Sequence, residues 1–377
     1  MRGKCMIRAV VLIVSLIFAS GLYAKELKVD MEVNASFQVN TPTDSQVTST
    51  PSRVRFFIDT STLDLNLYFT ARIIAAGGKY YFGSTGTLVP VNDVSVDQSL
   101  YVEDGKSNVI LDESFFTLIL SGRSRLFVGL MDPFTFDRKS GFTYSRAVKD
   151  ENTGFVSPHF LKLLAYSGLD QMKYISIPAV FIVHNFSPVF SLRWGITAGL
   201  TKTHIFVRNS FPLEIELDLF RKYSRFVINF GMADADSSLV HKMSPSIGII
   251  WDQRIYRSLL LFAQASKVFK DIKTWNTPIN SFQDYFLVAK EFGDFDEHFN
   301  CGLALGSDKV YAGAGISYLK SFYKARPEKN IEFFMRFRLK EDLYLTPDNQ
   351  VILNPNGVTR KNYNLMYLGA LRLTYFY

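Results

Sequence analysis

Glu26-Leu27-Lys28-Val29-Asp30-Met31-Glu32-Val33-Asn34-Ala35-Ser36-Phe37-Gln38-Val39-Asn40 alternates without a break over fifteen residues. Every odd position in it is apolar and every even position polar. Successive side chains of a strand point to opposite faces, so this segment has one oily side and one wet side. A helix would scatter the same residues around its circumference and leave no face to bury. Thr41-Pro42-Thr43-Asp44-Ser45 follows, and these are turn-forming residues.

The same period returns along the chain. Leu63, Leu65, Leu67, Phe69, Ala71 and Ile73 alternate with Asp64, Asn66, Tyr68, Thr70 and Arg72. Leu192, Trp194, Ile196, Ala198 and Leu200 stand opposite Arg193, Gly195 and Thr197. Leu213, Ile215, Leu217 and Leu219 interleave with Glu214, Glu216 and Asp218, and Ile331, Phe333, Met335, Phe337 and Leu339 with Glu332, Phe334, Arg336 and Arg338. Less regular strands are predicted at 53–59, 114–121, 124–130, 174–183, 223–232, 246–256, 259–268, 284–293, 298–306, 310–319 and 343–353. No long amphipathic helix appears, and no fixed repeat of the solenoid or propeller kind.

Upstream of the first strand the pattern is different. Arg2, Lys4 and Arg8 precede an apolar run from Ala9 to Leu22, and Ala24 stands before Lys25 and Glu26. This is the layout of a secretory signal peptide over residues 1–24, with Gly21 as the alternative cleavage point. The apolar run is shorter than the ~20 residues of a spanning helix. Removing the three cations of this leader takes the formal net charge from +7 to +4. Most support for a nucleic-acid partner goes with them. Cys301 is then the one remaining cysteine, so an internal disulfide is excluded in residues 25–377.

An exported all-β chain is either a soluble sandwich or a transmembrane barrel, and alternation alone serves both. Aromatic content of 15%, carried by 34 Phe and 19 Tyr, favours the barrel. Tyr80-Tyr81-Phe82, Phe115-Phe116, Tyr285-Phe286 and Phe333-Phe334 read as aromatic girdles at strand ends. Charged residues on the polar faces suit a wet lumen. The C-terminus, Leu371-Arg372-Leu373-Thr374-Tyr375-Phe376-Tyr377, resembles the aromatic-ending last strand of outer-membrane barrels and sets that strand at 363–377. With hairpins of ~40–45 residues, residues 25–377 hold about eight hairpins or 16 strands. A barrel of that size encloses an aqueous channel in the outer membrane of a diderm bacterium, with the lipid bilayer as its first partner.

Two stretches carry a family resemblance. One is Gly122-Arg123-Ser124-Arg125-Leu126-Phe127-Val128-Gly129-Leu130-Met131-Asp132-Pro133 after the strand at Glu113-Phe116. The other is Tyr344-Leu345-Thr346-Pro347-Asp348-Asn349-Gln350-Val351-Ile352-Leu353-Asn354-Pro355-Asn356-Gly357. Both resemble the carbohydrate-selective porin family (OprB-like). The resemblance implies a 16-stranded channel constricted by inward loops and lined by arginines that pass sugars.

Parity names the candidate lumen residues: Arg72, Arg193, Arg225, Arg336, Arg338, Arg372, Asp64, Asn66, Glu214 and Glu216. Opposed acidic and basic residues across a pore select solutes by charge, or brace the wall. Arg336, Arg338 and Arg372 are expected to share one basic wall. A long loop at 131–160 supplies constriction candidates Asp132, Phe134, Phe136 and Arg138, with an outward surface loop as the equal alternative. Enzyme signatures are absent. The five histidines have no metal-ligand spacing, and neither a nucleophile elbow nor a phosphate loop is present. No catalytic residue, metal or cofactor is expected. Small hydrophilic solutes, saccharides or anions, are the expected cargo, and a homotrimer is the habit of such barrels. An adhesive barrel with a closed lumen is the competing reading.

Overall fold

The computed structural model describes residues 24–41, 47–62, 66–79, 108–131, 177–199, 208–219, 224–236, 241–255, 258–269, 295–321, 326–355 and 364–377. They form sixteen strands. The first eight are β1 (Ala24–Thr41), β2 (Val47–Thr62), β3 (Leu67–Lys79), β4 (Asn108–Ser121), β5 (Ser124–Met131), β6 (Ile177–Ser187), β7 (Phe190–Gly199) and β8 (Arg208–Leu219). The second eight are β9 (Ser224–Asp236), β10 (His241–Arg254), β11 (Leu259–Val268), β12 (Phe295–Gly306), β13 (Val310–Ser321), β14 (Glu328–Lys340), β15 (Leu343–Leu353) and β16 (Leu365–Phe376).

Each strand pairs antiparallel with its neighbours in sequence, and β1 closes the barrel on β16. The closing ladder runs from Glu32 opposite Phe376 to Thr41 opposite Tyr367. Tyr377 extends it by exchanging backbone hydrogen bonds with Met31 at 2.8 and 2.9 Å. The aromatic C-terminus is therefore an integral rung of the seam.

The faces are inverted relative to a soluble protein. Phe37 on β1, Trp194 on β7 and Phe333 on β14 are 50%, 44% and 45% exposed. Glu32, Asn34, Arg193, Glu332 and Arg372, on the opposite faces of those strands and of β16, are buried. Apolar side chains outside and polar ones inside is the arrangement a lipid exterior demands.

The connections are asymmetric. At one end of the barrel β2–β3, β4–β5, β6–β7, β8–β9, β10–β11, β12–β13 and β14–β15 are joined by two to four residues. Serines fit three of these turns: the Ser121, Ser187 and Ser307 hydroxyls accept from the backbone N–H of Arg123, Phe190 and Val310 at 3.1 to 3.4 Å. This is the local side chain–backbone bonding that makes serine a turn residue. Gly306 ends β12 at φ 139, where a Cβ would overlap the Val310 carbonyl. The long connections, 80–107, 132–176 and 269–294 among them, leave from the other end.

Three prolines leave their mark on the ladders. A proline has no N–H to donate. Rungs are missing opposite Pro51 between β1 and β2, opposite Pro212 between β7 and β8, and opposite Pro347 between β14 and β15. In each case the ladder resumes in the same register, so flanking rungs and the barrel's closure carry the break.

Two expectations are corrected. Phe115-Phe116 and Phe333-Phe334 lie in mid-strand, not in girdles at strand ends. One ring of each pair faces out, Phe116 and Phe333, and the other is buried inside, Phe115 and Phe334. The inward rings have a structural task. Phe181 covers Gly195 on β7, Phe262 covers Gly302 on β12 and Phe334 covers Gly313 on β13. A ring over a glycine on the next strand seals the wall where a side chain is missing. The segment 284–293, Tyr80-Tyr81-Phe82 and Tyr285-Phe286 lie outside the described residues, as do residues 1–23 of the leader.

A Cβ on Gly195 would overlap both the Phe181 ring and the Val180 carbonyl oxygen, whereas one on Gly122 meets nothing within 4 Å. Gly195→Val is expected to abolish the heat-modifiable folded band on SDS gels, and Gly122→Ala to leave it unchanged. Equal folding of the two variants would show that the ring-on-glycine contact is dispensable.

Candidate functional site: the inner wall

The interior face is built by register. Residues opposite one another in an antiparallel ladder point the same way, so one inward residue assigns its whole row. Arg193 pairs Glu214, Glu214 pairs Asn229 and Asn229 pairs Gly248, giving one inward row across β7 to β10.

That row anchors an ionic cluster. The Arg193 guanidinium donates to Glu214 and lies 2.7 Å from Glu216. Arg225 Nε lies 3.0 Å from Glu216 Oε1, and Arg225 Nη1 lies 3.4 Å from Asp252. All five side chains are below a tenth exposed. Sequence parity named Arg193, Arg225, Glu214 and Glu216; the structure brings them together and adds Asp252. Such a cluster is worth most as mutual neutralisation, since removing one partner leaves a buried charge uncompensated.

Similar pairs line the rest of the wall. Arg72 Nε is 3.4 Å from Glu113 across β3 and β4. Glu32 on β1 sits between Arg53 and Arg55 of β2, 3.7 Å from each. Arg372 on β16 is 3.5 Å from Asp348 on β15, and both are fully buried. Amide contacts join the same face: Asn34 Nδ2 donates to Thr374 at 3.2 Å, Asn300 to Gln264 at 3.2 Å and Asn330 to Gln350 at 3.1 Å. Asp348 and Gln350 both belong to the 344–357 motif, and its period-two spacing points them inward while Asn349 and Val351 face out.

Arg336 and Arg338 occupy a different setting. Both are half-buried and lie near the short-turn end of β14. The Arg336 guanidinium carbon lies 5.0 Å from the Tyr311 ring centroid and 5.2 Å from that of Tyr344. Arg338 Nε donates to the Glu341 carbonyl at 2.7 Å. The expected basic wall is thus interrupted. Arg336 and Arg372 stand at one level, on either side of Thr346, but Arg372 is turned to Asp348.

Of the remaining candidates, only Asn66 is among the described residues. Asn66 precedes β3, and its carbonyl accepts from Ile119 N–H at 2.7 Å. Asp64, Asp132, Phe134, Phe136 and Arg138 lie outside the described residues. Among the described residues, no group of three or more His, Cys, Asp or Glu is placed to hold a metal ion. Sequence parity missed Arg53, Arg55, Asp252, Tyr311 and Tyr344. Arg53 and Arg55 carried a signal, two cations at spacing two. Tyr311 and Tyr344 carried none, because tyrosine is at home on either face of such a strand.

No protein-family model and no curated protein matches the sequence. Solved structures do. The high-pH structure of Pseudomonas putida OprB is similar over 93% of this chain and 94% of its own, with a TM-score of 0.67 at 11% identity. Acinetobacter baumannii OccAB4 covers 94% and 98% with a TM-score of 0.54 at 9% identity. A Rh. blastica porin mutant covers 93% and 100% with a TM-score of 0.56 at 9% identity. The chain has the 16-stranded porin fold. At such identities the likeness speaks for backbone architecture, and the chemistry of the wall has to be argued from this chain's own residues.

Glu216 is the hub between Arg193 and Arg225. Glu216→Ala is expected to destabilise the barrel by about 3–5 kcal/mol, seen as a lower urea midpoint in detergent. A midpoint equal to that of the unaltered protein would show that both guanidiniums are already satisfied by other groups.

Proposed function

We propose that this protein is an outer-membrane channel for passive diffusion of small hydrophilic solutes, saccharides among them. The observation that carries the reading is the inversion of faces in a closed 16-stranded barrel: charged and amide side chains turn inward on strand after strand. Apolar side chains outside match a bilayer, and a polar wall inside matches water and water-soluble cargo. Saccharide selectivity is supported by the motif resemblance at 122–133 and 344–357, and by arginines that offer N–H donors to hydroxyl pairs. Residues 1–24 serve as the export leader and residues 25–377 form the barrel, with 131–160 as a constriction loop. A homotrimer is the assembly we propose for it.

A second reading is an adhesive barrel with a closed lumen. It draws on the inward apolar cluster of Phe115, Phe127, Met131, Phe181 and Val183, which is buried. Recordings in planar bilayers separate the two. A channel gives stepwise conductance, and swelling of protein-loaded liposomes becomes slower as sugar size increases. A purified, heat-modifiable barrel with neither conductance nor swelling would leave the adhesive reading standing.

A further inference from the structure

We propose that Lys267, Lys320 and Lys329, on the outward face of the barrel, form a docking site for a phosphorylated glycolipid of the outer leaflet. The site lies on the lipid side of the wall and is independent of what the lumen passes. Register places it. Phe299, Ile316 and Ile331 are exposed on the outward face. An even spacing along each strand puts Glu297, Lys320 and Lys329 on that same face. Lys267 pairs Glu297, Glu297 pairs Lys320, and Lys329 pairs Tyr318.

The lysines mark one rim of the barrel. β11 and β13 end, and β12 and β14 begin, at the connections 269–294 and 322–327. The longer connections of outer-membrane barrels lie on the extracellular side. At the other end the same outward faces finish on Leu259, Leu305, Val310 and Phe337, none of them charged. The eight residues from Lys329 to Phe337, at ~3.3 Å each and a tilt of ~40°, span ~20 Å of height, most of the ~25 Å apolar band. The lysines therefore stand at its extracellular edge, where headgroups lie.

The charge at this rim is held in place and is unequal. Lys267 Nζ lies 2.6 Å from Glu297, and Lys320 Nζ lies 3.1 Å from Asp296 and 3.9 Å from Glu297. These pairs position the ammonium groups without covering them, since the Lys267 and Lys320 side chains stay 45% and 41% exposed. An ammonium carries three N–H donors, so one given to a carboxylate leaves others for a phosphate. Lys329 and Arg326 are exposed as well, and Glu328 is buried. Along β11 to β14 the described cations of this rim thus outnumber the exposed carboxylates, Asp296 and Glu297. The β12–β13 and β14–β15 turns at the opposite end have the reverse balance, with Asp308, Glu341 and Asp342 against Lys309 and Lys340.

Spacing selects the headgroup. Lys267 and Lys329 stand three strands apart, ~14 Å at ~4.8 Å per strand. Lys320 and Lys329 are diagonal neighbours on adjacent strands, with Cβ atoms ~7–8 Å apart. There are thus two positive poles, Lys267 at one edge and Lys320 with Lys329 at the other. A disaccharide headgroup with a phosphate at each end reaches both, whereas a phospholipid with one phosphate reaches one. Below the lysines Phe299, Ile316, Ile331 and Phe333 present the apolar surface that several acyl chains cover.

The test titrates diphosphoryl lipid A, monophosphoryl lipid A and phosphatidylglycerol into the detergent-solubilised barrel and reads bound lipid by native mass spectrometry, with inorganic phosphate as competitor. The unaltered protein is compared with Lys320→Gln/Lys329→Gln, Lys320→Arg/Lys329→Arg and Lys267→Gln, each checked for the heat-modifiable band. Diphosphoryl lipid A is expected to bind at least about tenfold more tightly than phosphatidylglycerol, and the double Gln variant to lose about tenfold of that affinity while the double Arg variant keeps it. Lys267→Gln, at the other pole, should erase the advantage of diphosphoryl over monophosphoryl lipid A. Unchanged lipid A binding by the Gln variants would overturn the site, and a change of oligomer mass in the same spectra would assign the face to a second copy of the chain. Phosphatidylglycerol binding as tightly as lipid A would overturn it in favour of an ordinary anionic lipid shell, and displacement of lipid A by inorganic phosphate in favour of a simple anion site.

Discussion

Backbone closure is the constraint on which this structure depends. A strand facing an apolar exterior has no water for its N–H and C=O groups, so each must find a partner in the next strand. Sixteen strands meet that demand only if the last returns to the first, and the β1–β16 seam from Met31 to Thr41 does so. The three breaks at Pro51, Pro212 and Pro347, each two rungs long, are isolated from one another, on separate strand pairs. A closed ring tolerates scattered gaps, because each is bounded by intact rungs and the strand has nowhere to slip.

Closure also dictates the chemistry of the interior. An outward apolar face forces charged and amide residues to the inside. There they are too close together to remain independent. Glu32 between two arginines, Glu216 between Arg193 and Arg225, and Asp348 against Arg372 are three solutions of the same problem. Where the inward position is a glycine, an aromatic ring from a neighbouring strand covers it, as Phe181 does at Gly195. The wall is therefore a mosaic of ionic clusters and ring-covered patches, with different solute chemistry at different heights.

The two ends differ as well. Short serine-fitted turns hold the strands at one end in tight register, and this is the end where Tyr311, Arg336 and Tyr344 assemble. The long connections leave from the opposite end, so the mouth nearer the turns owes its character to the strands themselves.

Much was legible in the sequence because period-two alternation reports which face a residue occupies. The strand at 343–353 and the inward sense of Arg193, Glu214, Arg336 and Arg372 can be read from parity alone. Parity says nothing about height along the barrel, which depends on the stagger between strands and on where each ladder begins. That is why Phe115-Phe116 and Phe333-Phe334 read as girdles and proved to be mid-strand pairs. The period, the two faces and a number of strands near sixteen follow from local alternation and length, and so are fixed before any strand meets its neighbour. Interstrand packing, by contrast, selects which charges neutralise one another and sets Arg336 against two tyrosine rings. Those contacts join residues from different strands, and their partners are chosen by interstrand register and not by position in the chain.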